Sequence, residues 1–99
     1  MRRAAKVDSN HLAVASTLRA IGATVVSLAS QGSGVPDLLV GYGGVTTLLE
    51  VKSPGQSKRK GTTAERQALW RARWRGGAVA VVESPEEAVA CVQRAARAS

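Results

Sequence analysis

Gly34-Val35-Pro36-Asp37-Leu38-Leu39-Val40-Gly41-Tyr42-Gly43-Gly44-Val45-Thr46-Thr47-Leu48-Leu49-Glu50-Val51-Lys52 contains two apolar runs, Leu38 to Tyr42 and Val45 to Val51, on either side of a glycine pair. Gly43 and Gly44 can supply the positive φ that a two-residue turn between strands requires, so the stretch reads as a β-hairpin. With Tyr42 facing Val45, Asp37 lies opposite Glu50, and directly opposed residues hold their Cβ atoms about 4.5–5.5 Å apart. Side chains alternate along a strand, so Lys52 shares the face of Glu50. A four-residue loop from Tyr42 to Val45 keeps this register, whereas a three-residue loop breaks it.

Two carboxylates at that spacing repel unless something positive sits between them. Lys52 offsets one charge. A divalent cation would neutralise the rest, since hard cations such as Mg2+ take carboxylate and carbonyl oxygens and keep several waters. The plain alternative is a hairpin end at which Asp37 and Glu50 pair with Lys52 or other surface bases.

The spacing of Pro36-Asp37, twelve residues, then Glu50-Val51-Lys52 resembles the signature of the PD-(D/E)XK nuclease superfamily. The stretch from Gly34 to Gly41, with Gln67 before Trp70, is similar more narrowly to its virus-type replication-repair nuclease (VRR-NUC) branch, of the small standalone phage or bacterial kind. The resemblance implies a restriction-endonuclease-like core in which Asp37, Glu50 and the main-chain carbonyl of Val51 hold Mg2+ or Mn2+. It gives Lys52 the role of orienting the nucleophile or stabilising negative charge, and it brings Gln67 near a water or a phosphate. Related nucleases add an acid from the first helix, and Asp8 is the only acid before Asp37; as a helix N-cap it also has a structural role.

Composition bounds the rest. Ninety-nine residues with three aromatics and no Phe suggest one domain, 1–99, whose core is built from Val, Leu, Ile and Ala. Fourteen Lys and Arg against seven acids give a net charge of +7, which favours a polyanionic partner. Lys58, Arg59, Lys60, Arg66, Arg71, Arg73 and Arg75 concentrate that charge between positions 57 and 75. Cys91 is the single cysteine, which excludes an intrachain disulfide and a cysteine metal cluster. No apolar run is long enough for a membrane span, and the basic arm 1–7 lacks the apolar stretch of a secretory signal, so a cytoplasmic location is expected.

In chain order, Asp8 or Ser9 caps a helix to about Ile21 whose buried stripe is Val14, Leu18 and Ile21, joined by His11 and Ala15. Ala23 to Ala29 reads as a first strand, and Gln31-Gly32-Ser33-Gly34 as a turn that would bring Ser33 near a scissile phosphate. The hairpin strands are apolar on both faces, which calls for helices on both sides of the sheet. Ser53 to Gly61 is a basic loop, a solvated linker or a holder of DNA backbone beside the acids. Thr62 with Glu65 suggests a capping box opening a helix to about Arg75. Its stripe of Thr63, Gln67, Trp70 and Trp74 points to tryptophans in the core, base stacking being the alternative. Ala78 to Glu83 forms a fourth strand, and Ser84-Pro85-Glu86-Glu87 starts a last helix that buries Ala88, Val92 and Ala95 and ends near Arg97.

The fold expected is therefore α/β, a four-stranded mixed sheet flanked by helices in the order αβββαβα. The function implied by the resemblance is a metal-dependent, structure-selective DNA endonuclease. It would hydrolyse phosphodiester bonds in branched replication, repair or recombination DNA, acting as a dimer like a Holliday-junction resolvase. Lys58, Arg59, Lys60, Arg66 and Ser33 would contact DNA, and no membrane or small-molecule cofactor is involved. Competing readings are a non-catalytic nucleic-acid-binding module, a nicking or restriction-type nuclease with another substrate, and an interaction protein whose Arg-rich helix binds an acidic partner.

Overall fold

The computed structural model describes residues 9–55 and 61–99. The hairpin forms as the glycine pair requires. Strand β2 (Leu38–Tyr42) pairs antiparallel with β3 (Val45–Val51), Tyr42 opposite Val45 and Leu38 opposite Leu49. Gly43 and Gly44 have φ of 60° and 80°, the two consecutive positive values of a type I′ turn.

Strand β1 (Thr24–Ser27) adds antiparallel to β2, and β4 (Val79–Val82) adds parallel to β3, giving a mixed sheet in the order β1-β2-β3-β4. A parallel step needs a crossover, and α2 (Thr62–Arg73) lies within it. With α1 (Ser9–Ala20) and α3 (Pro85–Ala98) the described chain runs αβββαβα, an α/β fold with three helices flanking a four-stranded sheet.

One face of the sheet carries the core. Val14 and Leu18 of α1 and Ala88 and Val92 of α3 pack on Val25, Leu38, Val40, Leu49 and Val82, all buried. The spacing of these helix residues by four puts each pair on one face. Ile21 packs against this cluster, as its place in the α1 stripe suggested. Ser84 Oγ accepts from the Glu87 N–H at 3.0 Å and Pro85 occupies the first turn, so α3 begins where its sequence signal lies.

Several expectations are corrected. The first strand is shorter than Ala23 to Ala29, because Ala29–Gln31 turns into a 3-10 helix and the Leu28 N–H donates to the Asp37 carbonyl at 2.6 Å. Thr62 is the first helical residue of α2 rather than its cap. Gly61 occupies the cap position without a side-chain bond, its carbonyl accepting from the Glu65 N–H. The helix ends at Arg73, before Arg75, where Trp74 turns extended. The tryptophans do not join the core, and no residue of α2 is buried. Trp70 and Trp74 stack on each other instead, with ring centroids 4.9 Å apart. Gln67, not an indole, reaches into the sheet from that stripe. The cap role and metal-site role of Asp8 lie outside the described residues, as do Lys58, Arg59 and Lys60. Among the described residues no helix is long and apolar enough to cross a membrane.

Candidate functional site

The acids meet at the open end of the hairpin, on the face opposite the α1–α3 core. The ladder ends at Leu38–Leu49, and the next residues, Asp37 and Glu50, still lie beside each other, with the Asp37 carboxylate accepting from the Val51 N–H at 2.8 Å. That bond gives the Val51 N–H an acceptor beyond the last ladder pair of β2, which begins at Leu38. A strand residue directs its N–H and its C=O toward the same neighbour. The Val51 carbonyl therefore faces the side on which Asp37 sits.

Glu50 is 2% exposed, between Leu49 on the core face and Val51. Its Oε2 accepts from Gln67 Nε2 at 2.9 Å and has Lys52 Nζ 3.9 Å away. Lys52 Nζ donates in turn to Gln67 Oε1, so the amide bridges acid and base. The other oxygen, Oε1, is buried and has no hydrogen-bond partner among the described residues. A buried carboxylate oxygen without a donor is costly. Either a proton or a cation removes that cost, and the nearest group able to share one is the Asp37 carboxyl.

The electrostatics say the same. Burial, and after it the adjacent Asp37 carboxyl, with which Glu50 can share a proton, raise Glu50 from 4.5 to about 8. Lys52 and, more weakly, Arg71 pull the other way without cancelling that rise. A carboxyl that holds its proton at neutral pH gives it up when a cation takes the same oxygens. Two carboxylates and one main-chain carbonyl suit a hard cation that keeps part of its water shell, and a thiol or imidazole is not needed. Among the described residues no group of three or more His, Cys, Asp and Glu side chains comes together, so within that set Asp37 and Glu50 stand as a pair.

Three more residues frame the site, of which Asn10 and Arg71 were not assigned to it from the sequence. Asn10 on α1 donates from Nδ2 to the Lys52 carbonyl at 2.6 Å and to the Glu83 carbonyl at 3.1 Å, tying the ends of β3 and β4 to the first helix. Nothing local in the sequence signals this, because its partners are 42 and 73 positions away. Arg71 bears on Glu50 from α2. It lies four residues after Gln67, one helical turn, so its place could have been read from the helix period. Gly34, third, has φ +84°, and a Cβ there would stand 2.5 Å from the Arg66 carbonyl oxygen. The Gly32 to Gly34 turn thus lets α2 approach closely enough for Gln67 to reach Glu50.

The expected DNA contacts divide. Ser33 and Arg66 are exposed and line one groove with Leu69, Trp70, Arg73 and Trp74. Glu83 Oε1 accepts from the Gly55 N–H at 3.1 Å and so holds the start of the loop after Lys52. His11 is half-buried on α1 and is not among the groups gathered around Glu50. No family model matches the sequence, and no curated protein and no solved structure matches it either.

Proposed function

We propose that this chain is a divalent-metal-dependent endodeoxyribonuclease of the PD-(D/E)XK type, with Asp37, Glu50 and the Val51 carbonyl as ligands for Mg2+ or Mn2+. The observation that carries the proposal is the orphaned Oε1 of a buried Glu50 set beside Asp37, with Lys52 on the same face. A structural ion pair would leave that oxygen unsatisfied; a cation ligand, or without one a proton shared with Asp37, would not.

A cation held there would acidify a water and offset the charge that develops on a phosphate under attack. The residues do the remainder. Lys52 presents an ammonium on the acid face, where it can orient the attacking water or stabilise negative charge on the phosphate. Gln67 fixes the Lys52 side chain and the Glu50 carboxylate relative to each other. Asp37 is held in turn by the Val51 N–H, which limits its rotamers. Solvent can protonate the leaving oxygen, so neither His11 nor Cys91 is required. Arg66 and the basic residues after Lys52 supply contacts to phosphates, and the affinity falls steeply with salt.

By the resemblance alone, the substrate is branched replication or repair DNA and the active species a homodimer, whose two sites would suit paired nicks across a four-way junction. A non-catalytic nucleic-acid-binding module is the second reading. It is favoured by one observation: Gln67 and Lys52 already satisfy Glu50 Oε2.

The test is cleavage of labelled four-way junction, flap and linear duplex DNA with Mg2+ or Mn2+, comparing wild type with Glu50→Gln. Metal-dependent cutting lost in the variant supports the nuclease, and paired cuts confined to the junction support the dimeric resolvase. Salt-sensitive binding that EDTA leaves unchanged, with no cutting by the wild type, supports the binding module instead.

A further inference from the structure

A groove of about 420 Å³ runs along α2, lined by Ser33, Arg66, Leu69, Trp70, Arg73 and Trp74. Positions 66, 69, 70, 73 and 74 follow the helical spacing of three and four, so they form one continuous strip. Its centre is apolar and aromatic, and an arginine stands toward each end. Leu69 is 50% exposed and Trp74 37%, a large apolar surface to leave in water on so small a protein.

The tryptophan pair is already ordered. The two rings stack with an interplanar angle of 17°. Trp74 Nε1 donates to the Gly77 carbonyl at 2.9 Å, which fixes the ring. Its six-membered edge lies against Gly76 so closely that a Cβ at that position would overlap the indole. A platform pinned in this way loses little conformational freedom when a flat ligand covers it.

We propose that this groove is a nucleotide subsite, in which an unpaired base of a DNA strand stacks on the Trp70–Trp74 pair while its phosphates lie against Arg66 and Arg73. Stacked aromatics beside cationic side chains are how proteins hold single-stranded nucleic acid without reading its sequence. The charge argues against a second copy of the chain as occupant, because a two-fold contact through this strip would set its arginines against the same arginines. The chain as a whole carries +7. Position argues for a strand shared with the acidic site. Trp70 follows Gln67 by three residues, about 4.5 Å along the helix axis. Ser33, moreover, belongs to the turn that packs on α2 and leads into Asp37. The proposal rests on the nuclease reading for the origin of the strand, and it adds that the strand enters with a base unpaired beside the cleavage site.

Both tryptophans of the chain line the groove, so their fluorescence reports on it alone. Wild-type protein in EDTA would be titrated with a thymidine oligonucleotide and with an abasic strand of equal length and charge. The expected result is quenching by the thymidine strand and about 5- to 100-fold tighter binding of it than of the abasic strand. Trp74→Ala should abolish that preference while keeping the abasic-strand affinity, and Trp74→Tyr should retain much of it, with circular dichroism confirming the fold of both. Equal affinity for the two strands, or binding without quenching, overturns the proposal. So does an emission change on diluting the protein alone together with a halving of its mass by light scattering, which would place a second copy in the groove. Cleavage with Mg2+ is scored separately. Base-dependent binding without cutting removes the nuclease reading and leaves the subsite, whereas cutting without base dependence removes the subsite and leaves the nuclease.

Discussion

Leu49 and Glu50 are adjacent on β3 and equally inaccessible, 0% and 2% exposed, yet they are buried by opposite means. Leu49 points into the apolar layer made by α1 and α3, where Val14, Leu18, Ala88 and Val92 close over the sheet. Glu50 points to the other face, where α2 approaches without burying any residue of its own and polar groups do the covering. The two faces teach that burial has no single meaning here. On the packed face it stabilises, through about 25 cal/mol for each Å² of apolar surface removed from water. On the open face it works against stability, because desolvation of a carboxyl is only partly offset by Lys52 and Gln67.

Leu49→Ala offers the largest test of that contrast. It should lower unfolding free energy by about 3–5 kcal/mol, measured by urea titration, because a cavity would open among residues that cannot all collapse into it. A loss under 1 kcal/mol would mean that the packed face is far looser than its burial indicates.

Glu50→Gln should do the reverse. Cleavage in Mg2+ is expected to fall by about 100- to 1,000-fold, as several kcal/mol of charge stabilisation disappear. Stability should hold or rise, with a sign that pH reveals. The Glu50 pKa is raised from 4.5 to about 8, so between those values the unfolded chain ionises this group while the folded chain keeps its proton. Wild-type stability without metal should therefore fall as pH rises from about 5 to 8, and the slope should flatten in the variant. Added Mg2+ should recover wild-type stability at pH 8 and not that of the variant. An unchanged slope in Glu50→Gln would show that another group sets the pH dependence.

Gly34→Ala would sharpen the comparison at the seam between the α2 approach and the hairpin. Strain at φ +84° and the contact with the Arg66 carbonyl should cost about 1–3 kcal/mol. Cleavage should drop more than this loss of folded protein explains, because Gln67 moves off Glu50. Proportional losses in both would reduce Gly34 to a folding role.

The smallest effect belongs to Thr47, whose Oγ1 is buried without a hydrogen-bond partner among the described residues, on the face that also holds Val40. Thr47→Val should be neutral or stabilising by up to about 1 kcal/mol in urea titration, since it removes an unsatisfied hydroxyl. An orphaned oxygen on the packed face is then dispensable, while the orphaned oxygen of Glu50 is the one the proposed chemistry uses.

Local rules carried much of this in the sequence. The glycine pair and the two-residue alternation around it determine the hairpin register, and through it the meeting of Asp37, Glu50 and Lys52. The stripe on α1 and the Ser84 cap of α3 were equally readable, because each depends on residues within a turn or two. The place of the tryptophans was not. Their helical spacing is the same whether they enter a core or lie beside a groove, and only the approach of α2 at Gly34 and the seating of the Trp74 indole on Gly76 distinguish the two. The Asn10 tie to Lys52 and Glu83 and the orphaned Glu50 oxygen likewise arise between segments far apart in sequence. Sequence alone determined which groups share a face, since strand and helix periods are set by the backbone. Tertiary structure decided how deeply each is withdrawn from water, and so which carboxyl holds a proton and which apolar surface stays open, because desolvation depends on what the rest of the chain brings to cover it.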